Sequence, residues 1–460
     1  VYRPLFTLFA LYLLGFSHSL YAKVEGLYDK HCATCHGKEL QGGMASSLVD
    51  GKWAHGGSVE DISKNIAEGI EAKGMPAWKE SLSAEDIRGL VIYIQEQEAE
   101  AKPVKEVDRS GVIATDKHNF TLKKVAESDG ILWSIDSLPD GSLISAQKNG
   151  KLWLFKNGKT TEIKKLPKIW HGGQGGLLEA AVHPDHKKNG WIYLAYSHSH
   201  DQSRGMTRIV RGKIKNDTWT NEENIFLSEN PFHIATKYHF GSRIVFNEGY
   251  LYFSIGDRGR QNDAQDIKKP NGKVHRIFDD GRIPKDNPFI KDGYPTIYSY
   301  GNRNPQGLDV HPVTKALWES EHGPRGGDEI NIIEKGKNYG WPEITYGMNY
   351  NGTPMTAKTK QEGMEQPKLY WTPSIAVSGI DFYQGKLFVN WENSLLVASL
   401  KSEELHRLEI KDNKVVKDEI VFSGLGRIRD VHVSADGNIF VSLNTKWPSK
   451  GEIYQLLPAK

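Results

Sequence analysis

Phe246-Asn247-Glu248-Gly249-Tyr250-Leu251-Tyr252-Phe253 joins an apolar strand end, a tight polar turn closed by glycine, and a run of aromatic and aliphatic residues. Aromatic and β-branched side chains fit a pleated surface, and glycine supplies the backbone freedom that the turn needs. The unit recurs. It is found at Ser137-Leu138-Pro139-Asp140-Gly141-Ser142-Leu143-Ile144, and at Val182-His183-Pro184-Asp185 ahead of Trp191-Ile192-Tyr193-Leu194. It returns at Val310-His311-Pro312 ahead of Ala316-Leu317-Trp318, at Phe382-Tyr383-Gln384-Gly385-Lys386-Leu387-Phe388-Val389, and at Ser434-Ala435-Asp436-Gly437-Asn438-Ile439-Phe440-Val441. Six units spaced roughly 45 to 70 residues apart predict an all-β six-bladed propeller over residues 119–460. A pair of β-sandwiches is the alternative, and repeats this long and regular favour blades.

Working outward, the chain has 460 residues, enough for more than one domain. Its 59 basic and 57 acidic residues are interspersed and leave a net charge of +2, which argues against a nucleic-acid partner. At the N-terminus, Arg3 precedes a short apolar run over residues 5–16, then polar Ser17, His18 and Ser19, with Ala22 as a cleavage point. The run is short of the ~20 apolar residues of a membrane span, so residues 1–22 read as an export signal. The mature chain then starts near Lys23 in the periplasm. A retained segment would instead be a membrane anchor.

The two cysteines of the chain lie in Cys32-Ala33-Thr34-Cys35-His36, the C-x-x-C-H pattern of covalent haem attachment. Two thiols one turn apart can form thioethers to a single porphyrin, and His36 can then place a ring nitrogen on iron. A thioredoxin-like dithiol is the competing reading, and no βαβ pattern surrounds it. Met75, held by Pro76 in an irregular Gly-Met-Pro loop, is the expected opposite ligand. Met44 reads as a surface or packing residue and His55 as a loop histidine. Ile62, Ile66 and Ile70 share one helix face, and Ser83 caps a helix striped by Ile87, Leu90, Val91 and Ile94. Residues 23–98 thus resemble a small all-α class I cytochrome c domain, whose implied role is one-electron transfer. Residues 95–110, rich in Glu, Lys and Gln, read as a solvated tether, placing a linker at 99–118.

The loops between the repeated units are rich in Gly, His, Arg and Asn: Trp170-His171-Gly172-Gly173-Gln174-Gly175-Gly176, Tyr238-His239-Phe240-Gly241-Ser242-Arg243, Gly301-Asn302-Arg303-Asn304-Pro305-Gln306-Gly307, Glu321-His322-Gly323-Pro324 running on to Asp328-Glu329, and Asn338-Tyr339-Gly340-Trp341-Pro342. Each alone could be a turn, and a lone histidine such as His239 is usually structural. Together, at one end of a propeller channel, they make a candidate site. Consecutive carbonyls at Gly323 and Pro324 suit Ca²⁺, and Glu329 with the Tyr339 carbonyl suits a second Ca²⁺.

With Gly256-Asp257-Arg258-Gly259-Arg260, Ser399-Leu400-Lys401 and Arg427-Ile428-Arg429-Asp430 added in order, residues 120–457 resemble the soluble glucose and aldose sugar dehydrogenases. These are six-bladed propellers that bind pyrroloquinoline quinone (PQQ) and Ca²⁺. The resemblance implies His239 as general base at the sugar C1 hydroxyl, Gln174 positioning substrate, and Arg303 stabilising charge on the quinone. It implies Asn304, Lys401, Arg427 and Arg429 around PQQ, and Gly323 and Pro324 on the catalytic Ca²⁺. His322, Tyr238 and Arg258 depart from the family pattern. Missing insertions between Tyr339 and Lys401 favour the monomeric, broad-specificity aldose branch. The expected partners are an aldose and a downstream cytochrome or oxidase. A calcium-dependent lactonase and a non-catalytic sugar- or protein-binding propeller are the competing functions.

Overall fold

Each repeated unit forms the turn after the innermost strand of one blade. The computed structural model describes residues 22–102, 107–445 and 450–459, so the expected export segment lies, except for Ala22, outside the described residues. Six antiparallel sheets form the ring, five of four strands and one of five. Their innermost strands are Leu132–Ser137, Leu177–Val182, Ile244–Asn247, Pro305–Val310, Val377–Phe382 and Arg427–Val433. The sixth blade closes the ring, because the early strand Asn119–Ser128 pairs with the C-terminal strand Gly451–Ala459. Locking first against last removes the open edges that a linear array would expose. One expected strand fails. Residues 387–389 turn into a short 3₁₀ segment at Val389–Trp391, and the second strand of that blade starts at Leu395. There Phe388 and Trp391 stack at 4.8 Å in the core, so aromatic packing overrides strand propensity.

Carboxylates on the innermost strands tie neighbouring blades together at four of the six junctions. Asp136 accepts Val182 N–H at 2.7 Å, Asp309 accepts Phe382 N–H at 2.6 Å, Asp381 accepts Val433 N–H at 2.7 Å, and Asp430 accepts Ile135 N–H at 2.9 Å. The third blade contributes a cation instead. Arg243 reaches Glu179 and Asp430 at 3.0 Å each and donates to the Gln306 carbonyl at 2.6 Å, spanning the channel. Burial pushes Glu179 up to about 7, although Arg243 opposes the shift. Arg243→Met should therefore lower stability by about 3–5 kcal/mol, because it strands two buried carboxylates. Urea unfolding checks this; a loss under about 1 kcal/mol would make the hub dispensable.

The N-terminal region is helical: α1 (Ala22–His31), α2 (Ala33–His36), α3 (Val59–Glu68) and α4 (Ala84–Ala101). Ser83 and Asp86 form a reciprocal capping box on α4, and Ile87, Leu90, Val91 and Ile94 are buried, as the stripe predicts. Ile62 and Ile66 are buried on α3, whereas Ile70 lies past its end in a bridge to Met75.

The expected tether is a correction. Helix α4 runs through residue 101, and its Glu96 is buried in an ion pair with Arg325 of the propeller at 2.5 Å. Beyond it, Val107 N–H donates to Ser423, Arg109 to the Leu425 carbonyl, and Ile113–Ala114 adds a strand to the closing blade. The charged composition suggested solvation, but its partners sit on remote propeller loops. The two parts share packing as well. Met348 of the loop between the last two strands of the fourth blade belongs to the helical core, and Arg88 of α4 donates to the Thr345 carbonyl.

Candidate active site

His239 follows a loop that reverses sharply, and its backbone sits at φ 49°, a left-handed conformation that costs a non-glycine residue about 1–3 kcal/mol. Two contacts hold it there. Gln174 Oε1 accepts His239 N–H at 2.7 Å, and His239 Nδ1 lies 2.6 Å from Asp257 Oδ1. Asp257 is fully buried, and its second oxygen accepts Trp341 Nε1–H at 2.8 Å. The carboxylate fixes the tautomer: Nδ1 carries the proton, and Nε2 keeps a lone pair. Burial would raise the Asp257 carboxyl, yet His239 and Arg303 hold it below its ordinary value. Burial and Arg303 push the His239 imidazole down, against the pull of Asp257, which favours its neutral, proton-accepting form.

Arg303 lies alongside. Its Nη1 donates to the His322 carbonyl at 2.8 Å and to the Gly323 carbonyl at 2.7 Å, and its guanidinium stands 5.4 Å from the Trp341 ring. A cavity of about 280 Å³ opens next to these groups, lined by Gln174, Asn304, Arg427, Arg429 and Lys148 among others. Three of its lining residues are cationic and none is a carboxylate. Burial, then the neighbouring Arg427, pushes Arg429 down to about 9, and burial and Arg429 lower Lys148. Cations that repel each other in a dry cavity call for an anion. The Arg429 guanidinium faces the Trp133 ring at 4.8 Å, and Phe240 adds a second aromatic surface for a flat ligand. These residues fit a planar tricarboxylate such as PQQ.

Lys401 does not line this cavity. It lines an adjoining one of about 430 Å³ that shares His322. Lys148 and Asp257, which no role anticipated, belong to the site. Asp257 was signalled by a Gly-Asp pair closing a strand, whereas Lys148 carried no local mark.

The calcium candidates divide. The Gly323 carbonyl already takes a hydrogen bond from Arg303, and the Pro324 ring packs toward Gly347. Glu329 sits opposite Glu321 across two strands, next to Glu319. Burial pushes Glu321 up to about 7 against Arg303 and Asn302, and burial with repulsion from Glu321 pushes Glu329 to about 8. Glu319 Oε1, Asn302 Oδ1 and Asn331 Oδ1 are buried there without hydrogen-bond partners. Surplus oxygen acceptors of this kind fit a hard cation. The Tyr339 phenol donates to the Ile332 carbonyl, so any ligand from this residue is its own carbonyl. Among the described residues, no three His, Cys, Asp or Glu side chains converge to chelate an ion alone, so amide and carbonyl oxygens would have to contribute.

In the helical domain, Cys32 and Cys35 are free thiols on one turn. His36 Nδ1 lies 2.9 Å from the Ser46 carbonyl and donates to it, leaving Nε2 for iron. Met75 packs into the helical core, while Met44 is 77 % exposed. Thiols, an oriented imidazole and a thioether make a donor set that fits haem c.

A six-bladed propeller with a His–Asp pair at a cationic cavity, joined to a helical C-x-x-C-H domain, is a propeller enzyme scaffold coupled to a c-type cytochrome domain. Residues 130–455 match the glucose/sorbosone dehydrogenase family, and residues 19–94 match the cytochrome c oxidase, cbb3-type, subunit III family. The chain belongs to the glucose/sorbosone dehydrogenase family, with a cbb3-type cytochrome c domain at its N-terminal side. It is 39% identical over 336 residues to the aldose sugar dehydrogenase YliI of Escherichia coli, covering 71% of this chain and 90% of that protein. The solved apo-form of the soluble aldose sugar dehydrogenase from Escherichia coli superposes with a TM-score of 0.69 at 36% identity, over 74% of this chain and all of that one. The PQQ-bound aldose sugar dehydrogenase from Streptomyces coelicolor gives 0.60 at 27% identity, over 73% of this chain and 98% of that one.

Proposed function

We propose that this chain is an exported, periplasmic aldose dehydrogenase that uses PQQ and Ca²⁺, forms lactones, and passes electrons to its own haem c. The observation that carries this reading is His239 hydrogen-bonded to the Asp257 carboxylate beside a cavity with Lys148, Arg427 and Arg429 and no lining carboxylate. His239 Nε2 takes the proton of the sugar C1 hydroxyl as the C1 hydrogen leaves with its electron pair. Asp257 stabilises the imidazolium that forms, and Trp341 keeps the carboxylate aligned. Gln174 fixes the backbone of the base, and Arg303 stabilises negative charge developing in the cavity. Asn304, Arg427, Arg429 and Lys148 hold the cofactor's carboxylates and carbonyls, with Lys401 at the edge.

When bound, PQQ supplies the hydride acceptor, Ca²⁺ at Gly323 and Pro324 supplies Lewis-acid polarisation, and haem on Cys32, Cys35, His36 and Met75 supplies a one-electron relay. A second Ca²⁺ at Glu329 and the Tyr339 carbonyl would neutralise the surplus carboxylates. A separate cytochrome or oxidase takes the electrons onward, and the chain works as a monomer. No helix among the described residues is long and apolar enough to cross a membrane.

The test uses haem-loaded protein under anaerobic conditions, with aldoses added while haem absorption is followed. Haem reduction should require PQQ, Ca²⁺ and sugar together, and a chelator should abolish it. Reduction of an artificial dye without haem reduction would retain the dehydrogenase and remove the internal electron route. Silence in both assays would overturn the reading.

A further inference from the structure

The adjoining cavity of about 430 Å³ is walled by both domains. On the propeller side stand His322, Tyr350 and Lys401; on the cytochrome side stand Glu25 of α1 and Gln97 and Glu100 of α4. It meets the inner cavity at His322, which lines both. The cytochrome wall is held in place: Glu96, one residue before Gln97, is buried in its pair with Arg325, and Met348 inserts into the helical core. The family match begins at residue 130, and the solved Escherichia coli relative, matched along its full length, covers 74% of this chain. Helices α1 and α4 are thus an addition to the shared propeller.

The wall has the chemistry of carbohydrate binding. Carboxylates and amides exchange hydrogen bonds with vicinal hydroxyls, and those to a charged group are the strong ones. Gln97 donates to Glu100 at 3.2 Å, which orients that carboxylate. Tyr350 is 56 % exposed and offers a ring face for the C–H side of a pyranose. At the seam, His322 Nδ1 donates to the Val377 carbonyl at 3.3 Å, so Nε2 is an acceptor. Glu25 and Glu100 stand on the cytochrome side, whereas the lining cations, Lys401 and the Glu96-paired Arg325, stand on the propeller side, so a sugar carboxylate turned toward the cytochrome meets like charge.

We propose that the outer cavity is a sugar subsite built by both domains, holding the unit next to the oxidised one in a neutral reducing oligosaccharide and turning away acidic sugars. This rests on the dehydrogenase reading. The cytochrome is thereby part of substrate selection as well as an electron acceptor.

The test uses full-length holoprotein with an artificial dye as acceptor, so that haem reduction does not limit the rate. Glucose, maltose and an acidic disaccharide with glucuronic acid linked to a reducing glucose are the substrates, and methyl β-maltoside, which has no free C1 hydroxyl, is a binding probe for calorimetry. Gln97→Trp, which fills the cavity, should raise KM for maltose about tenfold more than KM for glucose, and should weaken methyl β-maltoside binding about tenfold, as expected for two lost hydrogen bonds. Glu25→Lys combined with Glu100→Lys should raise kcat/KM for the acidic disaccharide about tenfold relative to maltose, and less at high salt. Ratios and binding within about twofold of the parent in both variants, with glucose still oxidised, would overturn the subsite alone. A parent that oxidises no sugar with any acceptor would overturn the dehydrogenase reading. Methyl β-maltoside binding that Gln97→Trp leaves unchanged would then overturn the subsite independently of turnover.

Discussion

His239→Ala should slow sugar oxidation by at least about 100-fold while PQQ still binds, because the substitution removes the base and leaves the cationic cavity intact. Asp257→Asn should cost about 10²–10⁴-fold, since an amide no longer fixes the tautomer or stabilises the imidazolium. Rates measured with a dye acceptor, alongside a PQQ titration, separate chemistry from binding. The pH profile adds a check of sign. The base works when neutral, and burial and Arg303 depress its pKa, so the acid limb should lie below the ordinary histidine value of about 6.5. Arg303→Met removes a depressing charge and should move that limb upward. Asp257→Asn removes a raising charge and should move it downward even as the rate falls. Near-normal turnover in His239→Ala, or a limb that ignores Arg303, would take His239 out of the mechanism.

The second large effect concerns the cations. Combined Arg427→Met and Arg429→Met should weaken PQQ binding by about 10²–10⁴-fold, taking about 1.5–3 kcal/mol for each charge-assisted contact. The same change should not lower the melting temperature of the unliganded protein, because repulsion between the half-buried Arg427 and Arg429 is relieved. Added PQQ should raise the parent's melting temperature, and the rise should be much smaller in the variant. Unchanged affinity would make the cluster structural. Lys148→Met should act in the same direction, and its effect checks whether a residue without any local motif belongs to the cofactor site.

The propeller and the haem motif were legible along the chain because both rest on short-range chemistry. A turn of Asp, Asn, Pro and Gly between strand-forming residues needs only neighbours a few positions away, and each of the six units fell at a blade's inner turn. C-x-x-C-H is likewise local, and its histidine meets Ser46 only ten residues on. Arg243 and Asp430 lie in motifs read for the candidate site and Glu179 in none, yet the three form one buried hub because ring closure brings three blades to the same axis. Lys148 and Arg429, far apart in the chain, share a wall for the same reason.

Where the local reading failed, the missing partner was remote. Residues 387–389 alternate like a strand, but packing of Phe388 against Trp391 decides otherwise. Residues 95–101 read as solvated because their charges had no visible counterpart; Arg325 supplies it from the fourth blade. Lys401, an apparent member of the cofactor cluster, faces the neighbouring cavity because the blades set its position. The sequence by itself determined the two domains, the number of blades and the C-x-x-C-H motif, all carried by contiguous stretches. Only the tertiary structure decided which charges converge, that Asp257 pairs with His239, and that helices α1 and α4 wall a cavity with the propeller, because electrostatic fields and cavities depend on distances in space that chain separation does not encode.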